Sequence, residues 1–360
     1  MVQRKSRRTL IGKNTHAVAI GDQAPVAIQT MWKEPFAESD IKTIAARIQS
    51  LNAMGCEMVR FAVPDEDTVL LLEKLATHVS VPLVADVHFD YKIALRCLDT
   101  PIAKIRINPG NIGNHFEEVA KKASDRGIPI RIGINAGSLA HDLQQKVDSL
   151  GLSLSDALVE AAERELEQCE RWNIPSIVLS IKASSLDTTI EVNRKIAQKT
   201  TVPLHIGVTE AGPLIAGVTR SAIALYTLLS EGIGDTIRVS LSDSPENEVI
   251  AAREILRTVD PSQHGITVIS CPRCGRNSFD THSFTEKWLP ILYSLKTKAT
   301  VAIMGCMVNG PGEARHADLG ITGAGNKVLL FRHGKLLRTV SIDLADIAFS
   351  EALSLLSKTL

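Results

Sequence analysis

The stretch AKIRINPGNIGNHFEEVAKKASDRGIPIRIGIN, residues 103–135, decides the fold. It opens and closes on β-like runs, AKIRIN (103–108) and PIRIGIN (129–135). Between them the apolar residues recur with helical period. Strand, amphipathic helix and strand form the repeating unit of a parallel sheet.

The same rhythm runs through the first two thirds of the chain. Further β-like runs are VAIQTM (26–31), CEMVRFAV (56–63), PLVADV (82–87), SIVLSI (176–181), PLHIGV (203–208) and DTIRVSL (235–241). The helical period is clear in SDALVEAAERELEQCERW (155–172), with Ser155 as the expected N-cap and Leu158, Ala162, Leu166 and Cys169 on one stripe. Pro82, Pro129, Pro175 and Pro203 stand at strand starts, where a missing N–H is tolerated. Eight such alternations predict an α/β fold, a TIM (β/α)8 barrel, with a doubly wound open sheet as the alternative.

A chain of 360 residues suits a barrel of about 250 residues plus a domain of roughly 100. The rhythm changes at DPSQHG (260–265), which reads as a linker between domains 1–260 and 265–360. The second domain is expected to hold a strand ITVIS (266–270), a cysteine pair, a helix and a strand TVAIM (300–304). A hairpin KVLLFRHGKLLRTV (327–340) and a closing helix at 344–358 complete it, a smaller α/β domain.

Forty basic residues balance forty acidic ones, so nothing global favours nucleic acid or a membrane surface. An anionic ligand must be met by a local cluster. No apolar run approaches the ~20 residues of a membrane span, and MVQRKSRRTLIG lacks the apolar region of a signal peptide. The expectation is a soluble, cytoplasmic protein, with a short nucleic-acid arm or transit-like segment as the other reading of the basic start.

Of six cysteines, Cys56, Cys97 and Cys169 fall on apolar strand or helix positions and read as core. The other three lie in the second domain. Cys271 and Cys274 stand as C-P-R-C after a strand, and Cys306 ends another apolar run just before N-G-P-G-E. The C-x2-C spacing lets two thiolates approach one metal centre. A Cys3His zinc site with His316 is one reading. Three thiolates plus a displaceable oxygen ligand, Glu313 folded back by the turn, suit a [4Fe–4S] cluster with one distinctive iron.

Barrel active sites sit at the C-terminal ends of the strands, where residues two apart share a face. Those ends carry Arg60, Asp86 with His88, Arg106 with Asn108, Arg131 with Asn135, Lys182, His205 followed by Glu210, and Arg238. Five converging cations without an anion would cost several kcal/mol each to bury, which points to a polyanionic ligand. NPGNIG (108–113), NAGS (135–138) and EAGP (210–213) supply backbone N–H groups for phosphate oxygens. Neither a P-loop nor a G-x-G-x-x-G after a first strand is present, so ATP and NAD sites are not indicated.

HFDYKIAL (88–95), RINPGNIGN (106–114), PIRIGINAGSL (129–139), HIGVTEAG (205–212), LLSEGIGDTIRVSLS (228–242), SCPRCGR (270–276) and GCMVNGPGEA (305–314) resemble the bacterial 4-hydroxy-3-methylbut-2-enyl diphosphate synthases, in order along nearly the whole chain. The resemblance implies a [4Fe–4S] cluster on Cys271, Cys274, Cys306 and Glu313. It implies 2-C-methyl-D-erythritol 2,4-cyclodiphosphate as substrate, with Arg60, Arg106, Arg131 and Lys182 on the diphosphate, Asp86, Asn108 and Asn135 nearby, and Glu210 facing the reacting oxygen. It also implies a homodimer in the methylerythritol phosphate route to isoprenoids. Ferredoxin or flavodoxin is the expected electron donor, since the chain has no flavin or nicotinamide motif. One segment departs from the family pattern: MWKEPFAES (31–39) stands where relatives carry a Thr- and Asn-rich loop. The rival function is a barrel aldolase or isomerase using Lys182 as a Schiff-base amine, with zinc in the second domain.

Overall fold

The computed structural model describes residues 3–35, 37–183, 185–260 and 265–357. The chain separates into two compact units, Met1–Pro261 and Ser262–Leu360. Most of the expected linker, 261–264, lies outside the described residues.

The first unit starts with an antiparallel hairpin of β1 (Thr9–Ile11) and β2 (Val18–Ile20). Eight parallel strands follow: β3 (Ala27–Met31), β4 (Met58–Ala62), β5 (Leu83–Asp86), β6 (Lys104–Ile107), β7 (Ile130–Asn135), β8 (Ile177–Lys182), β9 (His205–Ile206) and β10 (Thr236–Ile237). They lie in the order β8-β7-β6-β5-β4-β3-β10-β9. A single bridge, Leu179 to Leu204, brings β9 beside β8 and rounds the sheet into a barrel rather than an open sheet. The last two strands are much shorter than their apolar runs. Gly207 passes so close to the Arg238 carbonyl that a Cβ would stand 2.4 Å from its oxygen.

Ile11 and Ile20 of the hairpin are fully buried against Ala27, Met58, Val84 and Val178, near the strand starts. They close the barrel floor, and each contributes roughly 2 kcal/mol of apolar burial. Helix Leu154–Arg171 buries Leu158, Ala162, Leu166 and Cys169 as its period predicts. Its N-cap is Ser153, not Ser155: the extended Ser153 accepts from the Asp156 N–H at 3.1 Å, while Ser155 is buried in the first turn. Cys56 and Cys97 are also wholly buried.

The second unit is a five-stranded sheet of β11 (Ile266–Ser270), β12 (Ala299–Met304), β13 (Leu319–Ala324), β14 (Lys327–Arg332) and β15 (Lys335–Ser341), in that order. The first three strands are parallel and the last two antiparallel. One face carries helices Thr281–Ser294 and Ala345–Ser357, where Trp288 and Phe284 meet Phe349 edge-on at 4.9 and 5.2 Å. The expected turn at N-G-P-G-E is instead the start of a short helix, Gly310–His316. β13, with Leu319 and Ile321 fully buried, was not among the expected strands. Among the described residues, no helix is long and apolar enough to cross a membrane.

Candidate active site

Strand alternation places the cations. Registers Arg60↔Val84, Asp86↔Arg106, Arg106↔Arg131 and Asn135↔Lys182 keep these side chains on the inward face at the C-terminal barrel end. They line a cavity of about 370 Å³, together with His88, Glu210 and Arg238. That volume suits a small phosphorylated metabolite.

The cations are not equivalent. Asp86, 2% exposed, accepts from Arg106 Nη1 at 3.1 Å and pairs with Arg60 Nε at 3.2 Å. Burial alone would raise the Asp86 carboxyl, but Arg60 and Arg106 outweigh it and hold it below the usual range. Burial, opposed by Asp86, draws the Arg60 guanidinium down to about 10. His88 Nε2 lies 2.8 Å from Arg106 Nη1; burial, with Arg106 added, outweighs Asp86 and keeps the ring below its ordinary range. The imidazole is therefore neutral at pH 7, with Nε2 as acceptor.

Arg131 and Lys182 have no counter-ion or hydrogen-bond partner among the described residues. Burial first, then repulsion from the neighbouring cations, pulls both well below their normal basicity. An anion in the cavity removes that cost. Glu210 lines the rim with φ +50°, a left-handed conformation uncommon outside glycine and typical of functional turns.

Two predicted residues go elsewhere. Asn108 is absent from the cavity wall; its Oδ1 accepts from Gly110 N–H at 3.1 Å and caps the short helix Pro109–Ile112. His205 lies deeper, fully buried, with Nδ1 2.8 Å from Thr236 Oγ1. Of segment 31–39, Met31 reaches the cavity, whereas Trp32 stacks on Phe61 at 5.8 Å and Lys33 binds Leu241 O. Phe36 lies outside the described residues.

Sequence reasoning missed Ser180, Thr209, Ser240 and Ser242, which add hydroxyls to the wall. It also missed two glycines that make room. A Cβ on Gly133 would stand 2.7 Å from Arg106 Nε, and one on Gly207 3.1 Å from Lys182 Nζ. A glycine inside a strand run, at an inward position, is the signal for such close approach.

In the second unit, the parallel strands β11, β12 and β13 end together, and Cys271 follows β11 directly. Cys271 N–H donates to Ile303 O at 2.9 Å, and Ser278 N–H to Gly305 O at 2.9 Å, so the C-P-R-C loop lies along the Gly305–Cys306 segment. A Cβ on Gly305 would stand 1.7 Å from Asn277 Oδ1, so any side chain there would displace Asn277. Gly310 N–H donates to Cys306 O, which starts helix Gly310–His316 beside Cys306 and sets Glu313 in its first turn. His316 lies in the last turn.

Both parts of the chain match models of one family. Residues 13–253 match the GcpE TIM-barrel domain and residues 267–354 the GcpE protein C-terminal domain. The chain belongs to the GcpE family. Three relatives are named 4-hydroxy-3-methylbut-2-en-1-yl diphosphate synthase (flavodoxin). That of Treponema denticola is 48% identical over 95% of this chain and 92% of its own. That of Treponema pallidum is 46% identical over 97% and 92%, and that of Thermodesulfovibrio yellowstonii 44% over 94% and 95%. Among solved structures, a dihydropteroate synthase of Thermus thermophilus covers 71% of this chain and 99% of its own at 14% identity and a TM-score of 0.49.

The cysteine end of this GcpE chain has a donor set suited to an iron–sulfur group. All three thiols are free, with Cys306 buried, Cys271 half-buried and Cys274 exposed. Backbone N–H groups of Val308 and Asn309 outweigh burial and favour the Cys306 thiolate, with Arg276 adding to them. Two buried polar atoms beside Gly305 and Gly310, Asn277 Oδ1 and Thr322 Oγ1, have no hydrogen-bond partner among the described residues. Among the described residues, no three His, Cys, Asp or Glu side chains converge as a ready single-ion site. The soft thiolate set nonetheless fits a cluster, whose several irons separate their ligands further than one ion does.

Proposed function

We propose that this chain opens 2-C-methyl-D-erythritol 2,4-cyclodiphosphate reductively to (E)-4-hydroxy-3-methylbut-2-enyl diphosphate. Two electrons and protons are consumed and one hydroxyl leaves as water. The observation that carries the reading is the barrel mouth, where the cavity of about 370 Å³ presents Arg131 and Lys182 with no counter-ion among the described residues. A cyclic diphosphate supplies the missing charge. Arg60 and Arg106 hold its second phosphate from their shared Asp86, and Asn135 fixes the ring from the Lys182 side.

As the ring carbon–oxygen bond breaks, negative charge grows on the diphosphate. Preorganised Arg131 and Lys182 stabilise it there without solvent reorganisation. Glu210, at the exposed rim, gives the proton that lets the hydroxyl leave as water. Cys271, Cys274, Cys306 and, as exchangeable oxygen ligand, Glu313 would hold a [4Fe–4S] group, which supplies single electrons and Lewis acidity. Flavodoxin, the donor in the relatives' names, delivers the electrons, with ferredoxin as the alternative. The working form is a cytoplasmic homodimer.

Oxygen-free turnover of the cyclodiphosphate with reduced flavodoxin tests the function. Product formation with about four iron and four sulfide per chain supports it. Bound zinc without sulfide returns the second unit to a structural role. Sedimentation velocity tests the dimer.

A further inference from the structure

Among the described residues, Arg238 is the one cavity cation held from behind by a carboxylate that does not itself line the cavity. That carboxylate is Glu248, 1% exposed, in the first turn of helix Pro245–Val259. Its Oε1 accepts from Arg238 Nη2 at 3.1 Å, Leu241 N–H at 3.0 Å and Lys33 Nζ at 2.8 Å. Its Oε2 accepts from Arg238 Nε at 3.3 Å and Thr30 Oγ1 at 2.7 Å. Burial alone would raise this carboxyl, but Arg238 and Lys33 outweigh it and keep it ionised.

A buried ion pair needs no such reach for stability, since an apolar pair of similar volume often does as well. Glu248 does more than neutralise Arg238. The fork geometry fixes both the Nε and Nη2 edges, so only the remaining guanidinium edge faces the cavity. The same oxygens hold Thr30 and Lys33, on either side of the cavity residue Met31, and Leu241, a cavity residue after Arg238. Lys33 returns to the Leu241 and Asp243 carbonyls and closes the loop. The segment that departs from the family pattern is thus wired to this carboxylate.

We propose that Glu248 is a positioning residue that aims Arg238 at the ligand's phosphate and locks the Met31 rim to the Leu241 rim. The inference rests on the diphosphate reading of the cavity. Its competitor is bulk charge: an anion this near a diphosphate site weakens anion binding, and its removal would tighten it.

Glu248→Gln keeps the shape and one acceptor oxygen but removes the charge and turns the other oxygen into a donor. The expected result is a KM for the cyclodiphosphate raised about tenfold, with kcat within about threefold. Isothermal titration with inorganic pyrophosphate should show the same loss without turnover. In an Arg238→Met background, Glu248→Gln should then cost less than about twofold. Glu248→Asp, which restores the charge on a shorter arm, should recover part of the loss. Unchanged binding with a lowered Tm would make Glu248 merely structural and overturn the proposal. So would tighter binding, or an equal loss in the Arg238→Met background. If Glu248→Gln does not fold, Lys33→Met carries the test, expected to raise KM about threefold and overturning the proposal if KM does not move. Failure of the wild-type protein to bind pyrophosphate or turn over would instead sink the diphosphate reading itself.

Discussion

The barrel mouth and the cysteine end of the second unit share a plan, with polar side chains gathered where parallel strands stop, yet they are built differently. In the barrel the cavity side chains sit mainly on the strands, and neighbouring registers fix them in place. In the second unit the thiols lie on connections beyond the strands, from buried Cys306 to exposed Cys274. Strands can preorganise charge for an anion of fixed shape. Loops leave room for a group that must be assembled in place, and that group then organises them.

If the two ends are separate devices, the heaviest loss should leave the barrel untouched. Cys306→Ser is expected to abolish reductive turnover, by more than about a thousandfold, along with the visible absorption of the purified protein. Pyrophosphate affinity, measured by titration, should stay within about twofold. A collapse of pyrophosphate binding would mean that the second unit builds the anion site, and the comparison fails.

The reciprocal change is Arg131→Met. It removes a buried cation without a partner among the described residues, so pyrophosphate affinity should fall by about 10- to 100-fold, the worth of one or two charge-assisted hydrogen bonds. The unliganded protein should gain stability, because an uncompensated buried charge disappears. Thermal unfolding with and without pyrophosphate reads both signs. Loss of stability in both states would show that Arg131 has a structural partner.

How much of this was legible follows from the same contrast. Strand parity found Arg60, Asp86, Arg106, Arg131 and Lys182, because a period of two in a buried strand admits one inward face. Parity puts Lys104, two residues before Arg106, on the same inward face, but it could not tell that Lys104 lies wholly buried and away from the cavity wall. It also could not separate Arg238, held from behind, from the unpaired Lys182, since the difference lies in Glu248, on a following helix. In the second unit, the cysteine spacing spoke and the backbone did not. A glycine–proline run that starts a helix under Thr322 looks like a turn until the strand beneath it is present. Ser153 and Ser155 show the usual limit at helix ends, where two serines compete and dihedral angles decide.

Lys104 gives a third test, on stability rather than function. Among the described residues its Nζ has only the Met58 sulfur as partner, 3.4 Å away, and burial followed by Arg131 and Arg60 lowers its pKa far below normal. The unfolded chain therefore binds a proton there that the folded chain does not. This contribution is complete above the ordinary lysine range and is lost as pH falls toward the depressed folded value. Lys104→Met should stabilise the barrel by about 1–3 kcal/mol at pH 7 and flatten the alkaline slope of stability. Denaturant titrations at pH 7 and pH 10 decide it; a destabilised variant would mean that Lys104 is charged and paired.

The smallest effect bears on Asn108, where the strand rule and the structure diverge. By alternation it shares a face with Arg106 and should meet the ligand. Its side chain instead turns back to the Gly110 N–H, as asparagine commonly does before a helix that starts with proline. The strand ends at Ile107, so the period of two no longer governs the next residue. Asn108→Ala should then cost about 1 kcal/mol of stability and leave KM for the cyclodiphosphate within about twofold. Asn108→Asp, an equally good cap, should restore the stability. A tenfold rise in KM for the alanine variant would put Asn108 on the ligand and extend the strand-built part of the site one residue into the loop.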